Sequence, residues 1–328
     1  MPADRPKLVY YPDSEPGIRR LRRGRGFSYR AADGTSIDDP GERARIASLA
    51  VPPAYEDVWI CPLPLGHLQA TGRDARARKQ YRYHPDWTAF RSERKYASMP
   101  VFGQALPRIR RAIRRDLQGE AGDQDFAVAA VLAMIDRLSI RVGNPAYAEM
   151  NGSFGATTLK RRHLKLTAQG LRLDYTAKGG QRIRAAVADR TLNRVLAEMD
   201  DLPGRTLVRW IDAEGRSRPV TSDMVNARLA ELVEDAGATA KTFRTWNGSV
   251  AALEAALAAD RPTVKLMAQA AADRLHNTPT VARGSYIHPG VLALPDLSEA
   301  DRADLTRALP EVEGLRLTER ALLRLLAG

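Results

Sequence analysis

The chain has 328 residues, 44% hydrophobic and 27% charged, with 51 Lys and Arg against 39 Asp and Glu, a net charge of +12 and a pI of about 10.1. A single cysteine, Cys61, excludes an intrachain disulfide framework and a cysteine-based metal cluster, and five histidines without paired spacing argue against a metal site. The longest uncharged apolar run, FAVAAVLAMI at 126–135, is about half of what a membrane span needs, and the amino terminus MPADRPKLVYYPDSEPG has acidic residues and no apolar signal core, so a cytoplasmic protein is expected.

The basic excess attracts polyanions, nucleic acid first and an anionic membrane surface second. It is clustered: GIRRLRRGRGFSYR at 17–30 has six arginines, GRDARARKQYRYH at 72–84 has five Lys and Arg, and RIRRAIRR at 108–115 has five arginines. A lone cluster of this kind is usually a solvated face. The second differs, because Gln80, Tyr81 and Tyr83 are interleaved with Arg78 and Lys79. Cations neutralise phosphates while Gln and Tyr reach bases and sugars, so this mixture suits a DNA groove.

In chain order, KLVYY, FSYRA, VWICPLP, HLQATG and KQYRYH alternate and are punctuated by Pro and Gly, with one short helix at PGERARIASLA. They predict a small, mainly β domain at 1–88. From 89 to 328 the pattern is mostly helical, with SERKYASMPVFGQ as the connection and LPRIRRAIRRDLQG as the first helix. DFAVAAVLAMIDRLSIRVGN predicts the next helix over 126–142, with Val128, Val131, Ile135, Leu138 and Val142 on one face and Gly143 as its stop. A strand-rich insertion follows at about 158–187, its runs TLKRRHLKL, LRLDYTA and QRIRAAV separated by the turns TAQG and KGG. Helices are expected again at 190–200, 222–235, 243–260, 263–276 and 317–327. The fold class is α+β, with a small mainly β amino-terminal domain and a larger, mostly α domain carrying a β insertion.

Several residues of the second domain combine poorly as pure structure. Arg141, placed at the end of the 126–142 helix, is by itself a dipole-complementing arginine. Lys178 in YTAKGGQ sits at a hairpin tip, where a flexible ammonium can either be solvated or approach a leaving group. Lys241 and Arg244 in KTFRTWNGSVAALEAALAA open a helix, where cations oppose the macrodipole and an anion would be welcome. In RLHNTPTVARGSYIHP, Thr278 is an N-cap, Pro279 fits the first helical position, and Tyr286 lies near the far end of a short helix that must stop before Pro289. Two arginines, a lysine, the amide of Asn277 and a tyrosine, without a carboxylate cluster, suit metal-free attack of a tyrosyl oxygen on a phosphodiester.

The chain resembles the poxvirus-type type IB DNA topoisomerases found in bacteria. The resemblance is nearly full length and rests on PPAYEDVWICPLPLGHLQATGRDARARKQYRYH, DRLSIRVGNPAYAEMNGSFGATTLKRRHLKL, KTFRTWNGS and GSYIHP. It implies a DNA breaking-rejoining fold, Tyr286 as nucleophile, and Arg141, Lys178 and Arg244 as catalytic partners. Lys178 would be the general acid. Arg78, Lys79, Gln80, Tyr81, Tyr83, Tyr147 and Lys241 become candidate DNA contacts. Many members have histidine nine residues before the tyrosine, where this chain has Asn277, an amide that donates a hydrogen bond but does not titrate. The resemblance further implies a monomer clamped around double-stranded DNA in the bacterial nucleoid, with no membrane partner, no cofactor and no required metal. A tyrosine site-specific recombinase and a non-catalytic DNA-binding protein on the same scaffold remain open on sequence alone.

Overall fold

The computed structural model describes residues 6–167, 170–233 and 237–327. The chain divides into two units, Met1–Ala97 and Ser98–Gly328. The first is built on an antiparallel sheet of β1 (Ile18–Arg23), β2 (Gly26–Arg30), β3 (Glu56–Ile60), β4 (Leu68–Arg73) and β5 (Lys79–Tyr83), in the order β2-β1-β3-β4-β5. Helix α1 (Pro40–Ser48) starts at Asp39, whose carboxylate accepts the Glu42 N–H, and buries Ile46 against Ile18, Val58, Ile60 and Ala70.

The expected strand KLVYY is not a strand; it makes a single bridge, Val9 to Gly66. Its place is taken by IRRLRR, which the charge count marks as a basic cluster. Arginine is accepted there because the stem is apolar: Arg20 lies over the Phe27 ring at 4.2 Å and donates to the carbonyls of Val51, Pro52 and Tyr55. Helix α2 (Pro85–Ala97) closes the first unit, so the expected connection at 92–104 is helical instead. Pro100, near the start of α3 (Met99–Asp116), has no N–H to give, which confines the break to Ser98.

In the second unit α4 (Gln124–Leu138) is buried on every side from Phe126 to Asp136 and packs on α3, on α6 (Arg190–Asp201), on α7 (Ser222–Leu232) and on α8 (Ala240–Leu257). A buried ion network, Arg110 with Asp136 and Glu319, ties α3 and α4 to α13 (Leu317–Ala327). Trp246 of α8 packs beside Phe102 and fills the space that a side chain at Gly103 would need. The helix expected to reach residue 142 ends four residues earlier, at Leu138. Ser139 caps it in the left-handed region at φ 54°, and Asn247 holds that end by donating to Asp136 O and Ser139 Oγ. Arg141 therefore lies outside the helix, and Gly143, at φ 101°, turns an irregular segment rather than stopping a helix.

That segment leads through α5 (Pro145–Asn151) to a three-stranded sheet, β6 (Leu164–Thr167), β7 (Gly170–Thr176) and β8 (Arg182–Ala186), in sequential antiparallel order. The turn read as TAQG includes residues 168 and 169, and the helix expected to 235 includes 234 and 235; these four lie outside the described residues. A further hairpin, β9 (Arg209–Ile211) with β10 (Ser217–Pro219), has strands of three residues and no sequence reading anticipated it. The remaining helices are α9 (Val264–Leu275), α10 (Pro279–Tyr286), α11 (Pro289–Leu292) and α12 (Glu299–Asp304). Among the described residues, no helix is long and apolar enough to cross a membrane.

Candidate active site

Tyr286 is the last residue of α10. Thr278 begins that helix by accepting the Val281 N–H, and Pro279 occupies its first turn. The helix ends because Ile287 is extended and His288 caps α11 through Gly290 N–H. Helix α8 fixes the backbone at this end. Gly248 leaves room for it, since a Cβ there would sit 2.7 Å from Tyr286 O. Next to it, Ser249 Oγ donates to Tyr286 O and accepts the His288 N–H. The tyrosine's main chain is therefore anchored while its side chain remains half-buried.

Arg244 is 3% exposed and reaches beneath that ring, its guanidinium 5.1 Å from the ring centroid. It donates to Ser139 O and, at 2.9 Å, to Leu275 O. These are the C-terminal carbonyls of α4 and α9, the negative ends of two helix dipoles, which compensates a buried cation without a carboxylate. Burial first, then the charge of Arg141, bring Arg244 down to about 10, so it remains a cation at neutral pH. Lys241 and Arg244, three residues apart, differ in burial although both charges act on Tyr286. Lys241 is exposed at the start of α8, whereas Arg244 turns inward.

Arg141 comes from the irregular segment after α4. Its carbonyl accepts the Ala156 N–H at 2.8 Å, and its Nη2 donates to Asn277 Oδ1 at 2.7 Å. Asn277 is presented by His276, which caps α9 in the left-handed region at φ 51°. Three buried N–H groups are left without partners at this place: Arg141 Nη1, Arg244 Nε and Asn277 Nδ2. Burial is the largest influence on the Tyr286 hydroxyl and raises its pKa, but the charges of Arg244 and Arg141, a hydrogen bond from Arg244 and the charge of Lys241 together outweigh it and hold the phenol below its usual 10.0.

The structure thus gathers Arg141, Arg244, Asn277 and Tyr286, with Lys241 close enough for its charge to act. Lys178 is exposed at the β7–β8 hairpin tip, next to Gly179 and Gly180, both at positive φ, and its Nζ lies 5.9 Å from the Tyr147 ring of α5. Lys178 and Tyr147 form a separate pair. In the first unit Arg78 and Gln80 both bind Asp74, and the Arg78 hydrogen bond is the main reason its carboxyl is lowered to about 2. Lys79 pairs with Asp13 at 2.5 Å, and Tyr81 and Tyr83 stack with centroids 6.0 Å apart, both exposed. A cavity of about 620 Å³ is lined by Arg110, Arg137, Asp189 and His276; there Arg110 pairs with Asp136 and Glu319, and Arg137 with Asp189.

One buried polar residue here escaped the sequence reading. Tyr175 of β7 is 1% exposed, its hydroxyl has no partner, and the charges of Arg244 and Arg141 act on it. The signal was the alternation in LRLDYTA, which puts Leu173 and Tyr175 on the same inward face.

Comparison with known proteins gives the family. Residues 84–279 match the catalytic core of eukaryotic DNA topoisomerase I, and residues 26–74 match the N-terminal domain of bacterial DNA topoisomerase IB. DNA topoisomerase 1B of Acanthamoeba polyphaga mimivirus is 26% identical over 285 residues, covering 83% of this chain and 85% of that protein. DNA topoisomerase 1B of vaccinia virus, strain Copenhagen, is 18% identical over 249 residues, covering 73% and 76%. The core match takes in Arg141, Lys178, Arg244 and Asn277 and stops seven residues short of Tyr286. The class is that of the type I DNA topoisomerases, which are isomerases. Within it, the chain belongs to the type IB DNA topoisomerase family.

Proposed function

We propose that the protein relaxes supercoiled duplex DNA by reversible transesterification at Tyr286. The observation that carries this reading is the set of three unpartnered, buried N–H donors from Arg141, Arg244 and Asn277 beside a tyrosine made more acidic by cations. Donors without acceptors in a site of excess positive charge suit an acceptor-only anion, and a phosphodiester is one.

In the forward step Tyr286 attacks as the phenolate, its hydroxyl proton having gone to solvent: Oη forms a bond to the scissile phosphorus and the bond from phosphorus to the 5′ oxygen breaks. The products are a 3′-phosphotyrosyl enzyme and a 5′-hydroxyl strand. Arg141 and Arg244 hold the non-bridging oxygens, with the Asn277 amide as a neutral third donor. Removing one such preorganised donor lowers the rate by about 10²–10³. Lys178 gives its proton to the departing 5′ oxygen. One phosphodiester is exchanged for another of similar energy, so resealing draws on neither ATP nor a metal ion. Rotation of the duplex about its intact strand between the two steps releases supercoils.

The first unit supplies the clamp, with Arg78, Lys79, Gln80, Tyr81 and Tyr83 on the duplex. Tyr147 and Lys241 add contacts from the second unit. The enzyme works as a monomer, in the cytoplasm, on the nucleoid. The test is relaxation of a supercoiled plasmid without ATP and with EDTA present. Relaxation to a ladder of topoisomers is expected. Reaction confined to paired recombination sites would mean a recombinase instead.

A further inference from the structure

Tyr175 sits three residues before Lys178 on the inner face of β7. Its ring lies 6.1 Å from that of His163, which packs edge-on against Phe154 at 4.5 Å. A buried hydroxyl with no partner is destabilising, so the fold does not explain it. Arg244 and Arg141 are the charges that act on it, and burial keeps it protonated.

The two arginines are held unequally. Arg244 has both Nη groups fixed by backbone carbonyls, which leaves only its Nε without a partner. Arg141 has one side-chain partner, Asn277, and its buried Nη1 has none. An arginine can only donate, and a tyrosine oxygen can accept. Strand β7 and Arg141 are both tied to the 154–156 stretch, because Phe154 N–H donates to Thr176 O at 2.9 Å and Ala156 N–H to Arg141 O at 2.8 Å.

We infer that Tyr175 is a positioning residue for Arg141: its hydroxyl oxygen accepts the spare Arg141 N–H when a strand phosphate engages the guanidinium, fixing the plane in which that phosphate is held. This rests on the topoisomerase reading above and adds a residue to it. The account predicts no change in protonation at Tyr175 during the reaction, only in its partner.

The test is Tyr175→Phe, which keeps the ring and removes the oxygen. Single-turnover cleavage should slow on the order of 10-fold or more. Duplex affinity and the shape of the pH–rate profile should stay as in wild type, and the melting temperature should not fall, since an unpartnered buried hydroxyl is removed. In Arg141→Lys, which forfeits the planar fork, adding Tyr175→Phe should slow cleavage no further. An unchanged rate in Tyr175→Phe overturns the inference. So does a loss of affinity or melting temperature alongside the rate, or a double variant whose loss is the product of the single ones. Failure of the wild-type protein to form any covalent adduct would instead remove the topoisomerase reading, and the two failures are told apart by the wild-type lane.

Discussion

Arg244 shows why identity alone does not describe this site. A guanidinium at the amino end of a helix opposes the dipole of α8, yet its side chain leaves that end and is received by the carboxyl ends of α4 and α9. The same arrangement lowers the Tyr286 pKa against the pull of burial, through Arg244, Arg141 and Lys241. Phenolate attacks phosphorus faster than phenol, so cleavage should climb with pH through that lowered value. Lys241→Gln removes one of the three charges and returns the pKa upward. Its ascending limb should therefore move to higher pH, measured by single-turnover cleavage between roughly pH 6 and 10. A limb that stays in place would deny Lys241 this influence. For Lys178 the expectation is chemical rescue. A 5′-phosphorothiolate leaves without a proton, so it should restore cleavage to Lys178→Ala, and an unrescued variant would show that Lys178 is not the acid.

At the scale of elements, glycines set the close approaches on which the site depends. A Cβ at Gly155 would stand 2.5 Å from Arg141 O and 2.6 Å from Gly143 N, both backbone atoms that cannot step aside. Gly155→Ala should therefore displace the Arg141 segment, costing about 1–3 kcal/mol of stability and slowing cleavage by up to about 10²-fold. Thermal melting and single-turnover rates check this, and wild-type values in both would contradict it. Much of the helical pattern was legible in sequence, since caps and apolar spacing are local: Thr278, Pro279 and Pro289 bound α10 as read. The end of α4 was not legible, because Ser139 in the left-handed region is held by Asn247, 108 residues away. Strand β1 was missed because four of its six residues are arginines, one of them made structural by Phe27. At the site, Arg141, Arg244, Asn277 and Tyr286 come together, while Lys178 stands against Tyr147 instead. The carbonyls that seat Arg244 do not announce themselves, because they come from Ser139 and Leu275, 105 and 31 residues away.

At the scale of the whole molecule, a net charge of +12 gives a polyanion reason to bind, and three unpartnered donors beside Tyr286 give a phosphodiester reason to react there. Charge alone would serve a protein that only binds DNA; a covalent bond at one tyrosine would not. The deciding measurement is therefore to mix the protein with duplex DNA labelled at the 5′ end of the scissile strand, denature, and map the labelled peptide. The account predicts an adduct in wild type, carried by Tyr286 through the 3′ end of the strand, and none in Tyr286→Phe, which still binds the duplex. No adduct in the wild-type protein, or one that persists in Tyr286→Phe, would contradict it.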